Sequence, residues 1–134
     1  MLVVALSLVA AACGDDNDSG SDTTSVGGGR ATSINVGASE FAFDPDSWSV
    51  AADTPFSVAF TNTGTIEHTF TVLSESISTE GDYDEGIALF ILGSAAAESA
   101  SGSLSGLAPG TYQVICSISG HFSAGMIGEL VVQG

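Results

Sequence analysis

Within eleven residues, Cys116-Ser117-Ile118-Ser119-Gly120-His121-Phe122-Ser123-Ala124-Gly125-Met126, the chain places a thiol, an imidazole and a thioether at intervals of five and five. A second imidazole lies upstream at His68, in Glu67-His68-Thr69-Phe70. Two imidazoles, a thiolate and a soft, weakly bound thioether form the donor set of a blue-copper electron-transfer site. An ion that alternates between Cu(I) and Cu(II) transfers electrons fastest when neither state can rearrange its ligands. Drawing three donors from one tight loop and the fourth from a distant strand leaves the positions to the folded sheet. Taken singly, each residue has a plainer role: a Met near a chain end and a lone Cys are usually core, and a single His is usually a satisfied polar group. Their order and spacing on a strand-rich background favour the metal site, with His68, Cys116, His121 and Met126 as ligands of one mononuclear copper.

Such a site needs a rigid sheet, and the pattern from Ile34 to Val132 supplies one. Phe56-Ser57-Val58-Ala59-Phe60-Thr61-Asn62 alternates cleanly, and so do Ile66, His68, Phe70 and Val72, the mark of half-buried strands. His68 therefore shares a face with core residues. Tyr112, Val114 and Cys116 share a parity, which turns Cys116 inward at the end of a strand, and Leu130 with Val132 marks a last strand. Turn residues fall between these runs at Asp44-Pro45-Asp46, Asp53-Thr54-Pro55, Asn62-Thr63-Gly64 and Pro109-Gly110. The expected fold is an all-β, antiparallel Greek-key sandwich over residues 34–134. Residues 74–105 are the least regular: an acidic turn at 80–85, the apolar run 87–92 and a small-residue run at 93–100, read together as an extended apolar segment and one short helix somewhere in the stretch.

At 134 residues the chain has room for one core and not two. Residues 1–12 form an apolar run of signal-peptide length, too short to span a bilayer as a mature helix. The small residues before Cys13 and the polar stretch after it resemble a bacterial lipoprotein signal, with Cys13 as the lipidated residue. Position 10 is Ala where that signal prefers Leu, and no Lys or Arg precedes the apolar run. An ordinary cleaved signal or an uncleaved anchor is the other reading, and each version places the domain outside the cytoplasm. Residues 13–33 then form a flexible acidic, Gly/Ser-rich tether with a typical reach of about 20 to 26 Å.

One basic residue against sixteen acidic ones gives a net charge of −15, which argues against a nucleic-acid partner. Twelve of the acidic residues lie from Glu40 onward. They would steer a basic docking patch on a redox protein towards the domain, or serve only to keep an exported protein soluble.

The segments Glu40-Phe41-Ala42-Phe43-Asp44-Pro45, Phe60-Thr61-Asn62-Thr63-Gly64, Leu107-Ala108-Pro109-Gly110-Thr111-Tyr112 and Gly125-Met126-Ile127-Gly128-Glu129-Leu130-Val131-Val132 resemble the cupredoxins, small plastocyanin- and azurin-like blue-copper proteins. The resemblance covers the whole folded domain. It implies the thiolate and both imidazoles roughly in a plane about copper, with Met126 as the long axial contact. It also implies that His121 lies near the surface as the electron port, with Ile118, Phe122 and Ala124 as an apolar docking patch or as a shield against water. Many members carry Asn or Asp after the first His, where this chain has Thr69, and Pro before the Gly-His pair, where it has Ser119. A more mobile ligand loop or a shifted potential is the expectation.

The function expected is a monomeric one-electron carrier, not an enzyme. Its partner would be a cytochrome or a membrane oxidoreductase, reached on a lipid-anchored tether. Two histidines in all exclude a self-contained multicopper oxidase or copper nitrite reductase, and a binuclear site would need Cys where Gly120 stands. The alternatives are copper storage, delivery or resistance, and an interaction sandwich that binds no metal. The chain has no Met-rich or His-rich tract to favour storage.

Overall fold

The computed structural model describes residues 31–134. Nine strands run in chain order: β1 (Ser33–Ser39), β2 (Ala42–Asp44), β3 (Ser47–Ala51), β4 (Phe56–Asn62), β5 (His68–Leu73), β6 (Ala88–Ser94), β7 (Ser99–Leu104), β8 (Gly110–Ile115) and β9 (Ile127–Gln133). They form a four-stranded sheet, β2-β1-β4-β7, and a five-stranded sheet, β3-β9-β8-β5-β6. The expected signal at 1–12, the lipidated Cys13 and nearly all of the 13–33 tether lie outside the described residues.

Alternation drives the sandwich. In β4, Phe56, Val58, Phe60 and Asn62 are buried while Ser57, Ala59 and Thr61 are exposed, because successive side chains point to opposite faces. Between the sheets, Phe43, Trp48, Phe60, Phe70 and Phe90 pack mostly edge to face around Phe70. The indole N–H of Trp48 is satisfied by the carbonyl of Asn35 at 3.0 Å.

The sandwich agrees with expectation, but its sheets are mixed where antiparallel pairing alone was expected. β1 lies parallel to β4, with Ser33 opposite Ser57 and Ala38 opposite Asn62. β3 lies parallel to β9, with Ser47 opposite Glu129. After β2 the chain crosses to the other sheet to form β3 and then returns for β4, so the parallel neighbours β1/β4 and β3/β9 are joined through the other sheet, whereas β1 and β2 meet in a tight antiparallel turn. Alternation reports which face is buried and carries no information about strand direction.

Two further differences concern boundaries. Ile66 precedes the strand and is 40% exposed, so β5 begins at His68. In residues 74–105 the expected extended apolar segment is edge strand β6. The expected short helix is replaced by two single 3-10 turns, Glu80–Asp82 and Glu85–Ile87.

All six residues of β5 are buried, although only one of its faces meets the central core. Its other face is covered by the 74–87 segment. Leu73, Ile77, Ile115 and Phe122 form a second apolar cluster there, flanked by Tyr83 and Ile87. Gln113 fastens this cover by accepting the N–H of Ile77 at 2.7 Å and donating to its carbonyl at 3.2 Å.

Candidate metal centre

His68 opens β5 and Cys116 directly follows β8, its antiparallel neighbour, which brings both to one end of the five-stranded sheet. His121 and Met126 come from the loop between β8 and β9. That loop is closed at its base: Cys116 N–H donates to the carbonyl of Met126 at 3.2 Å, and Met126 N–H to that of His121 at 3.1 Å. Gly120 and Gly125 turn the chain at φ of 89° and 100°, a region that β-carbons disfavour.

The donor atoms of His68, Cys116 and His121 all lie within 4.8 Å of one another, and all three residues are buried. Cys116 Sγ is 3.2 Å from His121 Nδ1, and the two imidazole centroids are 5.0 Å apart. His68 is 0% exposed, yet neither of its ring nitrogens has a hydrogen-bond partner. Buried polar atoms are rarely left so, and a bound ion is one standard explanation. Burial, and then repulsion from His121, lowers the pKa of His68, which keeps its imidazole neutral as a metal ligand requires. Cys116 is a free thiol. Met126 is fully buried in the same core cluster as Cys116.

Thr69 sits against the sulfur. Its N–H donates to Cys116 Sγ at 3.3 Å, and its hydroxyl lies 3.7 Å from the same atom. Hydrogen bonds to the cysteine sulfur tune the potential of blue-copper sites. The Thr69 hydroxyl also accepts the N–H of Ser117 at 2.8 Å and bonds the Ser117 hydroxyl at 2.9 Å. Thr71 adds bonds to both hydroxyls. A threonine thus ties the start of the ligand loop where a longer Asn or Asp was the family expectation.

The loop has a second tie that its sequence does not announce. One carboxylate oxygen of Glu80 accepts the N–H of Gly120, and the other accepts the Ser123 hydroxyl at 2.8 Å. The mobility expected from Ser119 is thereby countered from the 74–87 cover. Buried Asn62 holds the approach to His68: it donates to the carbonyls of Ile66 and Ser94 at 2.8 and 2.9 Å and accepts the N–H of Gly64 at 2.9 Å. Glu40 accepts the N–H groups of Thr65 and Ile66 at 2.6 and 3.1 Å, which lowers its pKa to about 2, the Thr65 bond contributing most. Neither Glu80, Asn62 nor Glu40 stands out in the sequence, since each acts through a partner more than 20 residues away.

The expected apolar docking patch is not assembled as a surface. Phe122 is buried in the second cluster and Ile118 is half-buried against the central core, while Ala124 is exposed. His121 is 6% exposed. The exposed apolar residue beside it is Phe41, whose ring meets that of His121 edge-on at 5.0 Å.

A β-sandwich with a buried His-Cys-His cluster at one end defines a blue-copper cupredoxin. The chain belongs to the sulfocyanin (SoxE) domain family, which matches residues 45–134. Among solved structures it is similar to dithionite-reduced auracyanin from the photosynthetic bacterium Roseiflexus castenholzii, with 21% identity and a TM-score of 0.71, covering 79% of this chain and 100% of that one. Auracyanin B is 27% identical with a TM-score of 0.66, covering 81% of this chain and 94% of that one. Rusticyanin from Thiobacillus ferrooxidans is 17% identical with a TM-score of 0.63, covering 78% and 79% of the two chains. No curated protein sequence matches the chain.

Proposed function

We propose that this protein is a one-electron carrier in which His68, Cys116 and His121 would hold a single copper ion, with Met126 as a weak thioether donor. The observation that carries this is the cluster itself: three soft or borderline donors within 4.8 Å, buried, with both nitrogens of His68 unpartnered. Copper bound there supplies a one-electron couple, Cu(II)/Cu(I). The residues supply the rest. Thr69 holds the sulfur and the loop start, Glu80 holds the loop crown, and the apolar core beneath Met126 excludes water. Three donors this close suit a single ion, and among the described residues they are the one group of this kind, so electron transfer fits better than transformation of a substrate.

The partner we propose is a redox protein with a basic patch, drawn by the twelve acidic residues from Glu40 onward. It would meet the domain at the His121 end, where Phe41 and Ile66 are each 40% exposed. Work outside the cytoplasm and lipidation at Cys13 complete the proposal, supported by the apolar run at 1–12. No helix among the described residues is long and apolar enough to cross a membrane.

The test is titration of the purified protein with Cu(II), read by visible absorption beside Cys116→Ser. An intense thiolate-to-copper band at one equivalent, lost in the variant and bleached reversibly by one electron, is the expected result. No copper uptake would refute the proposal, and a site that surrenders Cu(I) to acceptors without a reversible couple would point to delivery instead.

A further inference from the structure

The turn joining β1 to β2 reaches both imidazoles. Glu40 brings Oε1 to 3.6 Å from His68 Nε2, and the next residue, Phe41, packs edge-on against His121. Both residues precede the stretch matched by the sulfocyanin family.

The carboxylate of Glu40 is held in place, unlike an ordinary surface glutamate. Oε1 takes the N–H of Thr65, the N–H of Ile66 and the Thr65 hydroxyl, the last at 3.2 Å. Gly64 makes the room: a β-carbon there would stand 2.6 Å from Oε1 and 2.9 Å from Oε2. The register places the turn here, since β1 runs parallel to β4 up to Ala38 opposite Asn62, and Thr63 N–H then donates to the Ala38 carbonyl at 2.9 Å. At 3.6 Å the carboxylate is just beyond a direct hydrogen bond to Nε2, so its hold on the ring is electrostatic.

Metal-binding histidines are generally oriented through the ring nitrogen that does not bind the metal. We infer that Glu40 is the positioning residue for His68: its charge keeps the proton on Nε2, leaves Nδ1 as the donor toward Cys116 and His121, and favours Cu(II) over Cu(I). This inference rests on the copper reading above. It also accounts for the geometry of the 62–66 turn, in which Asn62, Gly64 and Thr65 all serve to seat one carboxylate beside a buried imidazole.

Two measurements test it. Glu40→Gln keeps an oxygen for Thr65 and Ile66 and removes the charge. In the copper-loaded protein it lowers the ratio of Cu(II) to Cu(I) affinity about tenfold, an upward shift of about 59 mV in the reduction potential. Glu40→Ala removes both charge and acceptor. In the metal-free protein, nitrogen NMR of labelled histidine then changes from the Nε2–H tautomer of His68 to a mixture. If Glu40→Ala does not fold, Gly64→Ala, whose β-carbon displaces the carboxylate, takes its place. An unchanged potential in Glu40→Gln, or an unchanged tautomer on loss or displacement of the carboxylate, overturns the inference. Failure of the wild-type protein to take up copper would sink the copper reading, and the tautomer measurement would still decide whether Glu40 orients His68.

Discussion

Glu80 offers a direct test of how the ligand loop is held. Its two carboxylate oxygens take the Gly120 N–H and the Ser123 hydroxyl, on either side of His121, and Glu80 itself sits on the 74–87 cover and not on a strand. Bonds to an ionised carboxylate are worth about 1.5–3 kcal/mol each when shielded, and with Glu80 half-buried the pair together is worth roughly 2 kcal/mol. That is about a thirtyfold change in the equilibrium between a tied and a released loop. Glu80→Ala therefore lowers hydrogen-exchange protection of the Gly120 amide about thirtyfold and speeds copper release. Amides of β8 and β9 keep their protection, because the strand ladder on either side of the loop is untouched. Glu80→Gln, which keeps an acceptor but not the charge, has a smaller effect. Unchanged Gly120 protection in Glu80→Ala would refute the clamp. A loss spread evenly through β8 and β9 would refute its local character.

Two other perturbations follow from the same region. Thr69→Val removes the acceptor for the Ser117 N–H and costs about 1–3 kcal/mol, read as a lower urea midpoint with an unchanged slope; the Thr69 N–H still reaches the sulfur, so the visible band survives. In acid, Glu40 and Asp82 set the trend, since N–H donors, chiefly those of Thr65 and Thr79, depress both pKa values below the ordinary 4.5 and 3.8. A depressed carboxylate stabilises the fold above its ordinary value, and the effect is lost as pH falls through the folded one. The urea midpoint of the metal-free protein should thus fall as pH drops from about 4.5 towards 2, less steeply in Glu40→Gln, and identical profiles for the two proteins would contradict the assignment.

The three clustered donors were legible because their chemistry is written locally. Cys116 and His121 lie in one loop, and His68 sits in a strand whose alternation turns it inward. The strands were legible for the same reason, since β4 and β5 each carry their face pattern in a single run. Strand direction was not, because parallel and antiparallel partners bury the same parity. The braces were also hidden. Glu40, Asn62 and Glu80 look like ordinary turn residues until β1 is laid beside β4 and the 74–87 segment is folded over Leu73 and Ile115. Which of the two roles expected of Phe122, docking surface or shield, its burial suits was hidden on the same account: that burial is created by the cover, which has no periodic pattern of its own.

The parallel pairing of β3 with β9 bears on how the molecule comes to exist. Residues 47–51 find their neighbours at 129–133, and β9 is also the strand between β3 and β8, so the five-stranded sheet stays split until the last strand docks. Contacts of such sequence separation place folding among the slower, topology-limited cases, in the millisecond-to-second range. Cys116, His121 and Met126 are all held by the closure of β8 on β9. Assembly of the donor cluster is therefore a late event, and a chain still being synthesised has no finished site in which to trap a stray metal ion.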